Sequence, residues 1–137
     1  MKIGEGSITI SGKRKTAIAK ATIKKGTGKI TINKKNYESL SFLHKLMITE
    51  PVDITKKVLG KFNFDISVGV KGGGIESQMG AARLAISKAL VKFTESQDLR
   101  RALLDYDKNL LVADTRRKEP NKPGDSKARA MRQSSKR

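Results

Sequence analysis

Cysteine and tryptophan are absent from this chain of 137 residues, and there is one histidine. Without cysteine there are no disulfides, no thiolate chemistry and no zinc site with sulfur ligands. The single histidine, His44, leaves metal clusters and histidine-activated nucleophiles almost nothing to work with. It lies among Phe42, Leu43, Leu46 and Met47, the setting of a packed or partly exposed structural histidine. Aromatic residues make up 4% of the chain, which argues against stacking platforms for splayed bases. No apolar run approaches the roughly 18 residues of a membrane span. Met1 to Gly6 hold one charge of each sign and no apolar stretch of signal-peptide type, so an intracellular, soluble protein is expected. Acidic residues are scarce too, 13 against 30 Lys and Arg, for a net charge of +17.

The positive charge is unevenly placed. Residues 1–35 carry a net +9, residues 36–114 only +1, and residues 115–137 another +7. A solubility surface mixes both signs throughout. A near-neutral centre between two basic arms is a binding pattern for a polyanion. The last segment holds nine basic residues, from Arg116 to Arg137, against Glu119 and Asp125. Its apolar side chains besides proline are Ala128, Ala130 and Met131. Burial there offsets little of the ordering entropy, roughly 1–2 kcal/mol per residue for the backbone. A partner must supply its structure. A membrane surface would call for bulky apolar residues between the charges, so nucleic acid is the expected partner and a membrane is not. The small alanines and the Pro123-Gly124 bend suit threading along phosphates, each adding about 0.7–0.9 to the salt slope of binding.

The centre reads as a folded domain over residues 1–114, with the extended basic tail as residues 115–137. Ser7 to Ile10 predicts a short strand and Ser11-Gly12 a turn. Thr16 to Lys24 alternates, with Ala17, Ala19, Ala21 and Ile23 on one face; so small an apolar face predicts a large group packed on it. Lys25-Gly26-Thr27-Gly28 reads as a hairpin connection to a returning strand, Lys29 to Asn33. One or two short helices are predicted over Tyr37–Ile48, a break at Pro51, and a second helix over Val52–Leu59 with Gly60 just past its end. Phe62, Phe64, Ile66, Val68 and Val70 alternate without a fault with polar or small residues, the pattern of a half-buried strand. Ile75, Met79, Ala82, Ile86, Leu90 and Phe93 step as an amphipathic helix long enough to cover a sheet. A further helix is predicted over Asp98–Tyr106, and the run Leu110 to Ala113 pins the end of the domain. This order implies an α+β fold: a sheet of about four strands with helices packed on one face.

Catalytic constellations are missing. Asp105 and Asp107, two apart at a helix end, read as solvated helix-terminal charges. Gly26-Thr27-Gly28-Lys29 lacks the spacer and following helix of a nucleotide-binding loop. No cofactor or small-molecule substrate is implied. Lys71-Gly72-Gly73-Gly74 joins the best strand to the best helix, so free N–H groups could meet an anion there; glycines that only turn the chain explain it as well. Lys13, Arg14 and Lys15 form the first basic cluster. Lys20 and Lys24 project from the face opposite the alanines with no acid nearby, which favours a counter-charged ligand. On these residues alone, a general nucleic-acid-binding or architectural protein also fits.

Gly12-Lys13-Arg14-Lys15-Thr16-Ala17-Ile18-Ala19 resembles the opening of the ninth small-subunit ribosomal protein family. Lys71 to Gly74, with Gln78, Gly80-Ala81 and Arg83, resembles that family's glycine turn and following helix. Lys118 to Gly124, Lys127-Ala128-Arg129 and Gln133 to Arg137 resemble its tail and terminus. Leu110 to Asp114 is similar to the archaeal–eukaryotic branch. Ile75 and Met131 depart from the residues usual in that family. The resemblance implies a left-handed βαβ crossover, a cytoplasmic place in the head of the small ribosomal subunit among neighbouring head proteins, and no catalysis. It implies ribosomal RNA contacts for Lys13, Arg14, Lys15, Lys71, Gly72, Gly73, Arg116, Arg117, Lys118, Lys122, Lys127, Arg129 and Arg132. Lys136 and Arg137, the last two residues, would meet the peptidyl-site tRNA.

Overall fold

The computed structural model describes residues 6–124 and 127–129. Its architecture is α+β, a five-stranded mixed sheet with three α-helices. The strands are β1 (Ile8–Arg14), β2 (Ala17–Lys25), β3 (Ile30–Ile32), β4 (Lys35–Asn36) and β5 (Phe64–Lys71). The helices are α1 (Phe42–Leu59), α2 (Ile75–Thr94) and α3 (Gln97–Tyr106). Two 3-10 turns, Tyr37–Ser39 and Lys108–Leu110, complete the described elements. The fifth strand beyond the expected four is β4, two residues long and too short to show alternation.

β5 is the spine. It pairs antiparallel with β2 and parallel with β3, giving the order β1-β2-β5-β3-β4. The expected hairpin between β2 and β3 is therefore overturned: β5 lies between them. Asp65, near the start of β5, explains how the connection is held. Its Oδ1 accepts the backbone N–H groups of Thr27, Gly28 and Lys29 at 2.8, 3.1 and 3.0 Å. The Gly26–Lys29 loop is thus a nest of N–H donors already filled by the chain's own carboxylate. These bonds, the one from Lys29 first, lower the carboxyl's pKa from its ordinary 3.8. A depressed folded pKa stabilises above the unfolded value and the contribution is lost as pH falls through the folded one. Asp65→Asn should therefore melt below wild type at neutral pH, and the gap should close as pH drops below 3.8. A gap independent of pH in thermal melts refutes this account.

Two local signals yield to tertiary context. Ser11-Gly12 is not a turn; β1 runs through it to Arg14. A Cβ on Gly12 would stand 2.6 Å from the Ala81 carbonyl and 2.7 Å from the Ala85 N. Glycine is there because the strand and the α2 backbone touch, and helix α2 is the large element that covers the small face of the sheet. Pro51 does not break the helix either: α1 is continuous through it, with Pro51 and Val52 buried. The missing N–H removes one helical bond, and the packing of this stretch outweighs it. Gly60 ends α1 at φ 72°, as its position predicts.

One hydrophobic cluster joins the covered sheet face to the helices. Ala17, Ala19, Ala21 and Ile23 of β2 and Phe64, Ile66, Val68 and Val70 of β5 meet Ala82, Ile86, Leu90 and Phe93 of α2. Phe93 packs edge-on to Phe64 at 5.7 Å. Of the run Leu110 to Ala113, Leu110 is fully buried and Val112 is exposed. Residues 115–124 and 127–129 form no helix or strand.

Candidate nucleic-acid interface

Three basic segments far apart in sequence meet at one end of the sheet. The β1–β2 hairpin turns at Lys15-Thr16, where Lys15 takes a positive φ of 52°. The glycine turn after β5 is pressed against it. A Cβ on Gly72 would lie 2.7 Å from the Thr16 carbonyl, and one on Gly73 3.0 Å from the Ala17 N. Both glycines have positive φ, 76° and 66°, so the turn needs glycine for space and for conformation. From the other side comes the tail: the Arg117 guanidinium donates a hydrogen bond to the Lys15 carbonyl. Lys15, Thr16, Arg116, Arg117 and Lys118 line an open concavity of about 580 Å³.

The base of the tail is fixed by Asp114. Arg116 grips its carboxylate with a two-pronged contact, Nε to Oδ1 at 3.0 Å and Nη2 to Oδ2 at 2.7 Å. The Arg116 backbone N–H adds a bond at 3.0 Å. The Arg116 side chain first, then its backbone N–H, hold the Asp114 carboxyl well below the usual carboxylate range, with Arg14 adding to the effect. Asp114 is a positioning residue the sequence reading passed over; an Asp followed two residues later by Arg is the signal that marks it.

The candidate residues do not all face one way. Strand alternation sends Lys13 to the uncovered sheet face and Arg14 to the helix side. There Arg14 lies so close across Gly80 that a Cβ on that glycine would meet its Cδ at 2.4 Å. Arg14 thus braces α2 and the tail base, in a small hollow it shares with Arg83 and Asp114. Arg129 is matched to Glu119, Nη2 to Oε1 at 2.7 Å. Lys13, Lys15, Lys71 and Lys118 are exposed and have no acid within ion-pair distance among the described residues. Lys122 and Lys127 are also exposed. Arg132, Lys136 and Arg137 lie outside the described residues.

The α2 N-terminus at Gly74 has no side-chain cap. Gln78 instead reaches back to the Gly72 carbonyl at 3.2 Å, bracing the turn. His44, 15% exposed, sits between Ser41 Oγ and Glu76 Oε1, each 2.8 Å away, and ties the start of α1 to the start of α2. Asp107 binds Arg83 at 3.0 Å, a structural link between α3's end and α2. Among the described residues no group of acids and histidine is placed to hold a metal, and no helix is long and apolar enough to cross a membrane.

A family model for "Ribosomal protein S9/S16" matches residues 12–137, the stretch that contains all three converging segments. The chain belongs to that family. It is a structural ribosomal protein and not an enzyme. The small ribosomal subunit protein uS9 of Methanococcus maripaludis is 50% identical over 127 residues, 90% of this chain and 93% of that relative. Its counterpart in Methanococcus vannielii is 49% identical over the same shares. Both relatives agree with the archaeal-like character of Leu110 to Asp114.

Proposed function

We propose that this end of the sheet, continued by the tail, is the ribosomal RNA-binding surface of a structural protein in the head of the small subunit, in the cytoplasm. The convergence of Lys15, Lys71 and Arg116 to Lys118 around the Thr16 carbonyl carries the reading. Three exposed lysines, Lys15, Lys71 and Lys118, have no acid within ion-pair distance among the described residues and stand beside the backbone of the glycine turn, which can offer N–H groups to an anion. Arg14, Arg116 and Arg117 aim the tail, and Lys122, Lys127, Arg129 and Arg132 follow the RNA backbone along it. Lys136 and Arg137 reach the phosphates of the peptidyl-site tRNA. Protein neighbours in the head cover part of the remaining surface.

The Lys15→Gln/Lys118→Gln double variant tests the site. Both side chains are exposed, so its melting temperature should match wild type. Its affinity for transcribed small-subunit RNA should fall, and the slope of log K against log salt should flatten by about 1.4–1.8, two phosphates' worth. An unchanged slope sinks the reading.

A further inference from the structure

The sheet has a second face, uncovered among the described residues, and it is basic. Strand alternation sends Lys13, Lys20, Lys24 and Lys71 to it. Register places Lys13 and Lys71 on either side of Ile18, and Ser11 and Gly69 on either side of Lys20. Lys24 lies opposite Asp65, whose carboxylate is engaged with the loop N–H groups. Lys13, Lys20 and Lys71 have no such acid across from them.

Gly69 is the unexplained residue. Glycine weakens a strand interior, yet Gly69 sits in the middle of the spine strand. It is not among the glycines with positive φ. A Cβ built on it meets no atom within 4 Å, in contrast to Gly12, Gly72 and Gly73. Neither backbone conformation nor packing among the described residues calls for glycine there. Gly69 forms part of the floor of an open hollow of about 430 Å³, lined by Ile18, Lys20, Asn33, Gly69, Val70 and Lys71. Asn33 helps hold its floor in shape by accepting the Val70 N–H at 2.8 Å. A glycine in a strand that the fold does not need marks close approach by a ligand or another backbone.

We propose that the open face is a second RNA-docking surface, which takes the sugar–phosphate backbone of an RNA duplex into the hollow over Gly69, between Lys20 and Lys71. The inference rests on the ribosomal RNA reading above and adds a surface distinct from the tail. Charge selects a polyanion over a protein. Among the described residues the strands put no aromatic side chain on this face, since Phe64 points to the covered side and is buried, so it is not built to stack single-stranded bases. Hydroxyls of Thr9, Ser11 and Ser67 stand on the same face, suited to phosphate and 2′-hydroxyl contacts in the wide, shallow minor groove of A-form RNA.

The test uses the full chain with Gly69→Thr, Gly69→Ala and Lys20→Gln. The probes are transcribed small-subunit RNA and an unrelated RNA duplex of about 16 base pairs. Threonine favours strands and enters open space, so Gly69→Thr should melt at or above wild type while binding both RNAs at least tenfold more weakly. Gly69→Ala should shift affinity in the same direction by less. Lys20→Gln should flatten the salt slope by about 0.7–0.9. If Gly69→Thr fails to fold, the other two variants decide. Wild-type RNA affinity in the folded Gly69 variants overturns the proposal. So does wild-type affinity joined to poor incorporation into subunits, which would assign the face to a protein. Weakened binding in Lys15→Gln/Lys118→Gln with intact Gly69 variants defeats this inference alone; intact binding in all of them defeats the ribosomal RNA site as well.

Discussion

A chain that stops after Asp114 should fold and yet bind small-subunit RNA on the order of a thousandfold more weakly at moderate salt. The cut removes nine of the 30 basic residues and two acids. If about six of the nine meet phosphates, the slope of log K against log salt falls by roughly four to five, and an affinity loss of about 10³ follows. The fold loses little. Leu110, fully buried, remains, and what goes is the Arg116 grip on Asp114 and the Arg117 bond to Lys15. Surface pairs of that kind contribute little, so the melting temperature should move by a few degrees. A shorter cut separates the two roles of the tail. Ending the chain at Ser135, without Lys136 and Arg137, should leave ribosomal RNA binding and assembly in place while peptidyl-site tRNA binding drops by up to about tenfold, two phosphate contacts' worth. Full affinity for RNA in the long truncation, or for tRNA in the short one, rejects the corresponding role.

Replacing Gly12, buried between β1 and α2, by valine should destabilise the fold strongly. The atoms a side chain would strike are the Ala81 carbonyl oxygen at 2.6 Å and the Ala85 N at 2.7 Å. Both belong to the backbone of α2, so relief requires lifting the helix from the sheet, and with it the contacts of Ala82, Ile86 and Phe93. Overpacking of this kind costs about 3 kcal/mol, or roughly 10 °C for a domain of this size. Alanine should cost less and still melt below wild type. If Gly12→Ala and Gly12→Val melt as wild type does, the close approach of β1 and α2 is wrong. The contrast with Gly69→Thr is informative: the two glycines sit in neighbouring parts of one sheet, and only the one under α2 serves the fold.

His44, Arg83 and Asp107 show how charged groups outside the interface are spent on structure. Arg83, 15% exposed, lies between Glu50 at 2.5 Å and Asp107 at 3.0 Å. Its Nε and the Glu50 Oε2 make no well-aligned hydrogen bond, so the shorter contact is one of charge, joining α1 to α2. These groups tie the helices to one another, away from the lysines that face solvent.

The spine strand and its covering helix are legible from local pattern, because periodicity is a property of neighbouring residues. Phe62 to Val70 alternates, Ile75 to Phe93 steps as a helix, and Arg116 to Arg137 has too little to bury. The expectation of a polyanion partner rests on the same local facts. Strand order does not. The short Gly26–Lys29 connection reads as a hairpin, and only Asp65, 36 residues away from Lys29 in the chain, shows why it steps over β5. Gly12 reads as a turn until α2 is laid against it, and Pro51 as a break until α1 is packed. Arg14 belongs to a basic triplet in sequence, but strand alternation and the docking of α2 turn it away from Lys13 toward Gly80. Charge placement along the sequence points to a polyanion as the partner of the two basic arms. Tertiary structure alone decided that Lys15, Lys71 and Arg117 share one end of the sheet, because register and helix docking depend on contacts between residues that no local pattern connects.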